Sequence, residues 1–136
     1  MRYLLDTNIC IYIINRRPEH VFEVFSKYEV GELCISSITT SELYYGVEKS
    51  KNKTKNLQAL DKFISPFSIV TYDNNDAEIY GKIRTKIENK GQIIGAMDLM
   101  IAAQALAKKF VLVTNNEKEF KGINKLKIEN WIRKIG

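Results

Sequence analysis

A chain of 136 residues holds one hydrophobic core of ordinary domain size and little besides. With 45% hydrophobic and 27% charged residues it falls outside the composition of disordered polymers, and two cysteines cannot staple a disulfide scaffold. The net charge of +5 admits a polyanionic partner without requiring one.

Tyr3-Leu4-Leu5 reads as a first buried strand. It meets Asp6 after two leucines, unlike the core of a signal peptide, and no apolar run reaches the roughly 20 residues that cross a bilayer, so a cytosolic protein without membrane contact is expected. Helical patterns follow over residues 9–14 and, after Pro18, 21–28. A second strand at 33–35 leads to helical patterns over 39–49 and 57–64, and a third strand at 67–70 to one over 77–87. In the last long helix, 97–109, Leu99, Ala102, Ala103 and Leu106 share one face with Phe110 just beyond. A fourth strand at 110–113 and a weaker fifth at 126–128 complete the series. Short apolar runs bounded by turn residues suit strands buried on both faces, and their alternation with helices predicts an α/β fold: a parallel sheet of about five strands flanked by helices. No repeat, low-complexity tract or linker interrupts residues 1–136, which are expected to form one domain. Cys10 and Cys34 lack CxxC or Cys/His spacing and read as small buried hydrophobes.

Ligands of open parallel sheets bind beyond the carboxyl ends of the strands, where strand order reverses. Polar residues gather at those ends. Asp6-Thr7-Asn8 follows the first strand, Ser36-Ser37 and then Glu42 the second, and Thr114-Asn115-Asn116 with Glu117 and Glu119 the fourth; Asp98 opens the helix 97–109. Each acid also fits a helix cap. Asp6 and Asp98 can each accept first-turn N–H groups, and Glu42 stands three residues after Thr39 in capping-box spacing. A cap explains one residue at a time, however, whereas acids after several buried strands would repel one another without a cation between them. Hard oxygen donors favour Mg²⁺, with Mn²⁺ as a substitute. Asp73, with Asp76 three residues on, has the form of a plain cap.

Competing chemistries lack their motifs. There is neither GxGxxG nor GxxxxGK[ST], and Gly91 and Gly95 read as loop glycines. A phosphoaspartyl receiver and an aspartate-nucleophile phosphatase each need a further acid that Asp6-Thr7-Asn8 lacks. The one histidine, His20, reads as a solvated residue at a helix start, with no nucleophile elbow to serve.

Four segments resemble the PIN-domain ribonucleases and, more narrowly, the VapC toxins of toxin–antitoxin pairs. These are Leu5-Asp6-Thr7-Asn8-Ile9, Ile35-Ser36-Ser37-Ile38-Thr39 with Glu42-Leu43-Tyr44-Tyr45-Gly46, Asp98 before Ile101-Ala102-Ala103, and Val113-Thr114-Asn115-Asn116 with Glu119-Phe120. The resemblance implies a PIN-like domain with Asp6, Glu42 and Asp98 as metal ligands and catalytic residues, and with Thr7 or Asn8 orienting Asp6. Many members carry aspartate where this chain has Asn116. Glu119, one turn along, is the candidate replacement, with Asn116 holding a water or phosphate oxygen. Thr114 and Asn115 would hydrogen-bond Asp6 or the scissile phosphate, although a simple strand-end turn accounts for them as well.

The function this implies is Mg²⁺-dependent hydrolysis of phosphodiester bonds in structured RNA such as tRNA, restrained by a VapB-type antitoxin, in a chain that forms a homodimer. Lys49, Lys51, Lys53 and Lys55, then Arg84, Lys86 and Lys90, and finally Lys118 and Lys121 are candidate phosphate contacts; each run equally suits a solvated face. Tyr12, Tyr44 and Tyr45 could stack on bases, and Tyr45 equally suits the core. Apolar residues 9–14 and 21–25 exceed what one sheet face needs, which leaves some for a partner to cover. The alternative in another class is a non-catalytic nucleic-acid-binding module, and cleavage of DNA by the same site is a third reading.

Overall fold

The computed structural model describes residues 1–132, and the last part of the expected domain, 133–136, lies outside them. Five strands form one all-parallel sheet: β1 (Tyr3–Leu5), β2 (Leu33–Ser36), β3 (Ser68–Val70), β4 (Val111–Val113) and β5 (Ile128–Glu129), in the order β3-β2-β1-β4-β5. The chain builds outward from β1 to β3, then crosses back to the other side of β1 for β4 and β5. That reversal puts the topological switch between β1 and β4.

Strand pleating explains the two cores. Leu4 is in register with Cys34 and Leu112, and all three point to one face, where α5 (Asn74–Asn89) and α6 (Ala96–Lys108) cover them. Leu5, Ile35 and Val113 point to the other, beneath α1 (Thr7–Asn15), α2 (Glu19–Ser26), α3 (Ser37–Glu48) and α4 (Lys53–Ile64). The sheet is therefore sandwiched, as an apolar parallel sheet requires. Cys10 and Cys34 are free thiols inside it.

The structure adds to the expected elements and shifts some. Val30–Glu32 makes a turn of 3-10 helix and Glu117–Phe120 a short helix, α7, neither expected because three or four residues carry no periodicity. The fifth strand lies at Ile128–Glu129 rather than 126–128. Burial on both faces holds for β1, β2 and β4 but fails for β3, whose Ser68 and Ile69 are exposed, and for half-buried β5. These are the edge strands, with a neighbour on one side alone.

Helix α6 is buried well beyond the single expected face: Ile101, Gln104 and Ala105 join Leu99, Ala102 and Ala103 out of solvent. Alanines let it lie close to α5, α3 and β4 at once. Gln104 donates to the Val70 carbonyl at 2.9 Å and so ties the edge strand β3 to α6. Asp73 is the plain cap expected of it, paired with Asp76 in a reciprocal capping box. His20 departs from its expected solvated state; it is half-buried and its ring hydrogen-bonds the Ile132 carbonyl.

Candidate functional site

Asp6 is the first residue past β1, and its N–H still bonds the Val113 carbonyl at 3.0 Å, so it lies at the switch between β1 and β4. Its side chain accepts the Ile9 N–H at 2.9 Å, which makes it the cap of α1, as one reading of the sequence had it. The cap is not its whole environment. Asp6 is only 6% exposed, and its carboxyl is pushed up to about 6, mainly by burial and further by the charges of Asp98 and Glu42, against the stabilising bonds from Thr114 and the Ile9 N–H. Thr114 is fully buried and its oxygen accepts the Asn116 N–H at 3.1 Å, which leaves its proton for Asp6.

Glu42 is no capping-box residue. Helix α3 starts earlier, because Ser36 caps it by accepting the Ile38 N–H at 3.0 Å, and Thr39 and Glu42 both lie inside the helix. One turn in, Glu42 receives the Thr7 hydroxyl at 2.6 Å, with the Thr39 hydroxyl 3.4 Å from that of Thr7. Thr7 therefore orients Glu42, where the resemblance had pointed to Asp6, and Asn8 is exposed. Thr39 is fully buried and was read from the sequence only as a cap; its place beside Thr7 left no signal there.

Asp98 is not a cap either, since Gly95 takes that position on α6 and Asp98 stands in the first turn. Burial raises its carboxyl, followed by the charges of Glu119 and Glu42. The new helix α7 explains Glu119: Asn116 is its N-cap residue, the Glu119 N–H bonds the Asn116 carbonyl at 3.0 Å, and this turn brings the half-buried Glu119 within electrostatic reach of Asp98. Asn115 donates to the Tyr12 hydroxyl at 3.2 Å, while its side-chain Oδ1 is buried with no hydrogen-bond partner among the described residues. Tyr12 is thereby engaged; Tyr44, bonded to Asp61, and Tyr45, 65% exposed beneath Lys49, are outside the core.

Four acids from four segments thus share one rim of the sheet. Among the described residues no lysine or arginine forms an ion pair with any of them. Nor do any three Asp, Glu, His or Cys side chains already stand at metal-holding separation. The donors are hard oxygens, and the carboxyls of Asp6 and Asp98 are raised by burial and by the charges beside them; a divalent cation fits both facts, because it would neutralise that repulsion.

Residues 3–126 match the family model of the PIN domain. The chain belongs to the PIN-domain family, among its VapC ribonucleases. Its VapC relatives include Ribonuclease VapC2 of Rickettsia felis, 47% identical over 96% of this chain and 98% of that protein. The tRNA(fMet)-specific endonuclease VapC of Salmonella typhimurium is 42% identical over 96% of this chain and 98% of its own length. Among solved structures, DNA-bound VapBC from Salmonella typhimurium superposes with a TM-score of 0.90 at 42% identity, covering 96% of this chain and 98% of that one. As in the sequence reading, no helix among the described residues of this VapC-family chain is long and apolar enough to cross a membrane.

The raised carboxyl of Asp6 has a signed consequence in metal-free solution. The native state holds the proton up to about pH 6 while an unfolded chain releases it near 3.8, so native stability is full below the lower value and falls as pH rises through the upper. Asp6→Asn cannot ionise. In EDTA it is expected to match its parent near pH 4 and to exceed it by up to about 3 kcal/mol above pH 6.5, as read by urea denaturation.

Proposed function

We propose that this chain is an Mg²⁺-dependent endoribonuclease that hydrolyses structured RNA such as tRNA and is restrained by a VapB-type antitoxin. The observation that carries the reading is the group of four acids at the switch point, two with carboxyls raised by burial and mutual repulsion, and none with a cationic partner among the described residues.

Asp6, Glu42 and Asp98 would hold the ion, with Glu119 on the same rim. When bound, it supplies a more acidic attacking water and neutralises charge on the leaving oxygen. The chain's own residues do the rest. Thr7 fixes one oxygen of Glu42, which leaves the other to bind or to accept a proton from the attacking water. Thr114 and the Ile9 N–H hold Asp6 in one orientation, and Asn115 and Asn116 lie beside them for the phosphate. Mn²⁺ is expected to substitute. Thr7→Val would free Glu42 and is expected to lower cleavage about ten- to hundredfold with the fold intact, checked by single-turnover kinetics alongside circular dichroism.

An apolar groove of about 310 Å³ beside Glu42, lined by Ile11, Ile14, Leu43, Val47 and Leu60, supports the antitoxin part of the reading. Ile11 is 38% exposed there. Relatives crystallised as VapBC complexes, including VapBC2 of Rickettsia felis at 46% identity and a TM-score of 0.86 over 96% of this chain and 99% of that one, support it as well. Homodimerisation belongs to the same proposal; Ile93 and Met97, 93% and 49% exposed just before Asp98, are apolar side chains a second copy would cover. The test is incubation of labelled tRNA and of a 2′-deoxy analogue with the purified chain, with Mg²⁺, with Mn²⁺ and with EDTA. Cleavage of RNA alone, abolished by EDTA, is expected; cleavage untouched by EDTA overturns the metal reading, and equal cleavage of DNA overturns the choice of RNA.

A further inference from the structure

An acidic centre repels the phosphates it must cut, so a nuclease of this kind needs cations placed near the acids but not paired with them. Several basic side chains here are engaged. Lys53 pairs with Glu48, Arg84 with Glu88 and the Tyr80 hydroxyl, and Lys108 with Asp73 and Asp76, while Lys49 lies over the Tyr45 ring. One group stands in a regular row. Lys82, Lys86 and Lys90 stand at i, i+4 and i+8 on α5, in one row rising about 6 Å per step. With Lys125 from the segment before β5 they rim a groove of about 200 Å³ floored by Ile79, Ile83, Ile87 and Ile123. All four lysines are exposed, and none forms an ion pair among the described residues. An apolar floor lets each lysine stem lie flat with its ammonium at the rim.

The row also has a direction. Lys108 at the end of α6 bonds Asp73 and Asp76 at the start of α5, so the two helices run antiparallel and the far end of α5 comes level with the first turn of α6, where Asp98 stands. At that far end Lys90 donates to the Gly122 carbonyl at 3.0 Å, two residues beyond the helix that carries Glu119. Gly122 is packed so closely that a Cβ there would meet the Gln92 side chain at 2.3 Å. The groove is thus fastened to the acid rim. A second copy of this chain would bring the same lysines to the same face and be repelled, whereas a polyanion is complementary to it.

We propose that Lys82, Lys86, Lys90 and Lys125 form a track for the phosphate backbone of the RNA, leading it along α5 to the acid cluster. The inference rests on the ribonuclease reading and adds to it the surface that holds the substrate. Its test uses the full chain carrying Asp98→Asn, so that RNA is bound without being cut, and a fluorescent RNA stem-loop titrated at several salt concentrations. Lys82→Gln/Lys86→Gln is expected to weaken binding about tenfold or more near 0.1 M salt and to flatten the plot of log affinity against log salt by about 1.5. Lys82→Arg/Lys86→Arg should restore both, and the charge-matched Lys27→Gln/Lys62→Gln should change neither. Unchanged affinity and slope in the Gln double variant, in a chain whose wild type still cleaves RNA, overturns the track alone. RNA binding intact with lost binding of a polyglutamate peptide overturns it in favour of an acidic protein segment. Absence of both RNA binding and cleavage in the parent chains overturns the ribonuclease reading itself.

Discussion

Asp98→Asn is expected to lower RNA cleavage on the order of a thousandfold, about 4 kcal/mol of transition-state stabilisation, while leaving RNA affinity equal or higher. The carboxylate stands in the first turn of α6, half-buried and already disfavoured as an anion by Glu119 and Glu42. Its replacement by an amide removes a hard anionic donor, yet it also relieves repulsion inside the cluster and takes a negative charge from the surface the RNA approaches. Cleavage and binding should therefore separate. Single-turnover kinetics of labelled tRNA in Mg²⁺ measures the first and filter binding the second. Calorimetric titration of Mg²⁺ or Mn²⁺ should show binding to the parent that Asp98→Asn lacks. If Asp98→Asn and Asp6→Asn both cut at the parental rate, the acid cluster is not the catalytic centre; if neither parent nor variant binds a divalent ion, the non-catalytic module becomes the better account.

Lys108→Met is expected to cost about 3–5 kcal/mol of stability, although Lys108 touches no site residue. Its ammonium lies 2.8 and 2.9 Å from the two oxygens of Asp76, a carboxylate with no solvent exposure, and 3.1 Å from Asp73. Without the lysine, Asp76 keeps a buried charge and loses its counter-ion, and the start of α5 comes away from the end of α6. Thermal unfolding should fall by about 10–15 °C. Asp76→Asn/Lys108→Met removes the stranded charge along with its partner and should recover part of the loss. A single variant as stable as the parent would mean that the contact between Lys108 and Asp76 does not stabilise the fold.

The sheet was legible because its strands are short runs of Leu, Ile, Val and Phe between polar stops, a pattern that survives without tertiary context. Helices 39–49 and 97–109 were legible for the same reason, from spacing alone. Edge strands were misjudged: Ser68-Ile69-Val70 carries the same apolar signature as Leu4-Leu5, and exposure depends on how many neighbours a strand has, which residue type does not encode. Helix α7 escaped because four residues are too few to show a period, and with it went the reason why Glu119, rather than Asn116, faces Asp98.

Composition and local order were enough to specify an α/β chain with acids after its buried strands, since strand burial, turn chemistry and the sign of each charge are properties of neighbouring residues. Which acids meet is a matter of distance in space. It took the reversal of strand order at β1 to bring Asp6 and Asp98 together, the start of α3 at Ser36 to free Glu42 from a cap and hand it to Thr7, and the antiparallel run of α5 along α6 to point one lysine row, out of several equally basic ones, toward that rim. Charge repulsion, desolvation and hydrogen bonding act over a few ångströms, and residues separated by 35 to 108 positions come within that range only once the chain has folded.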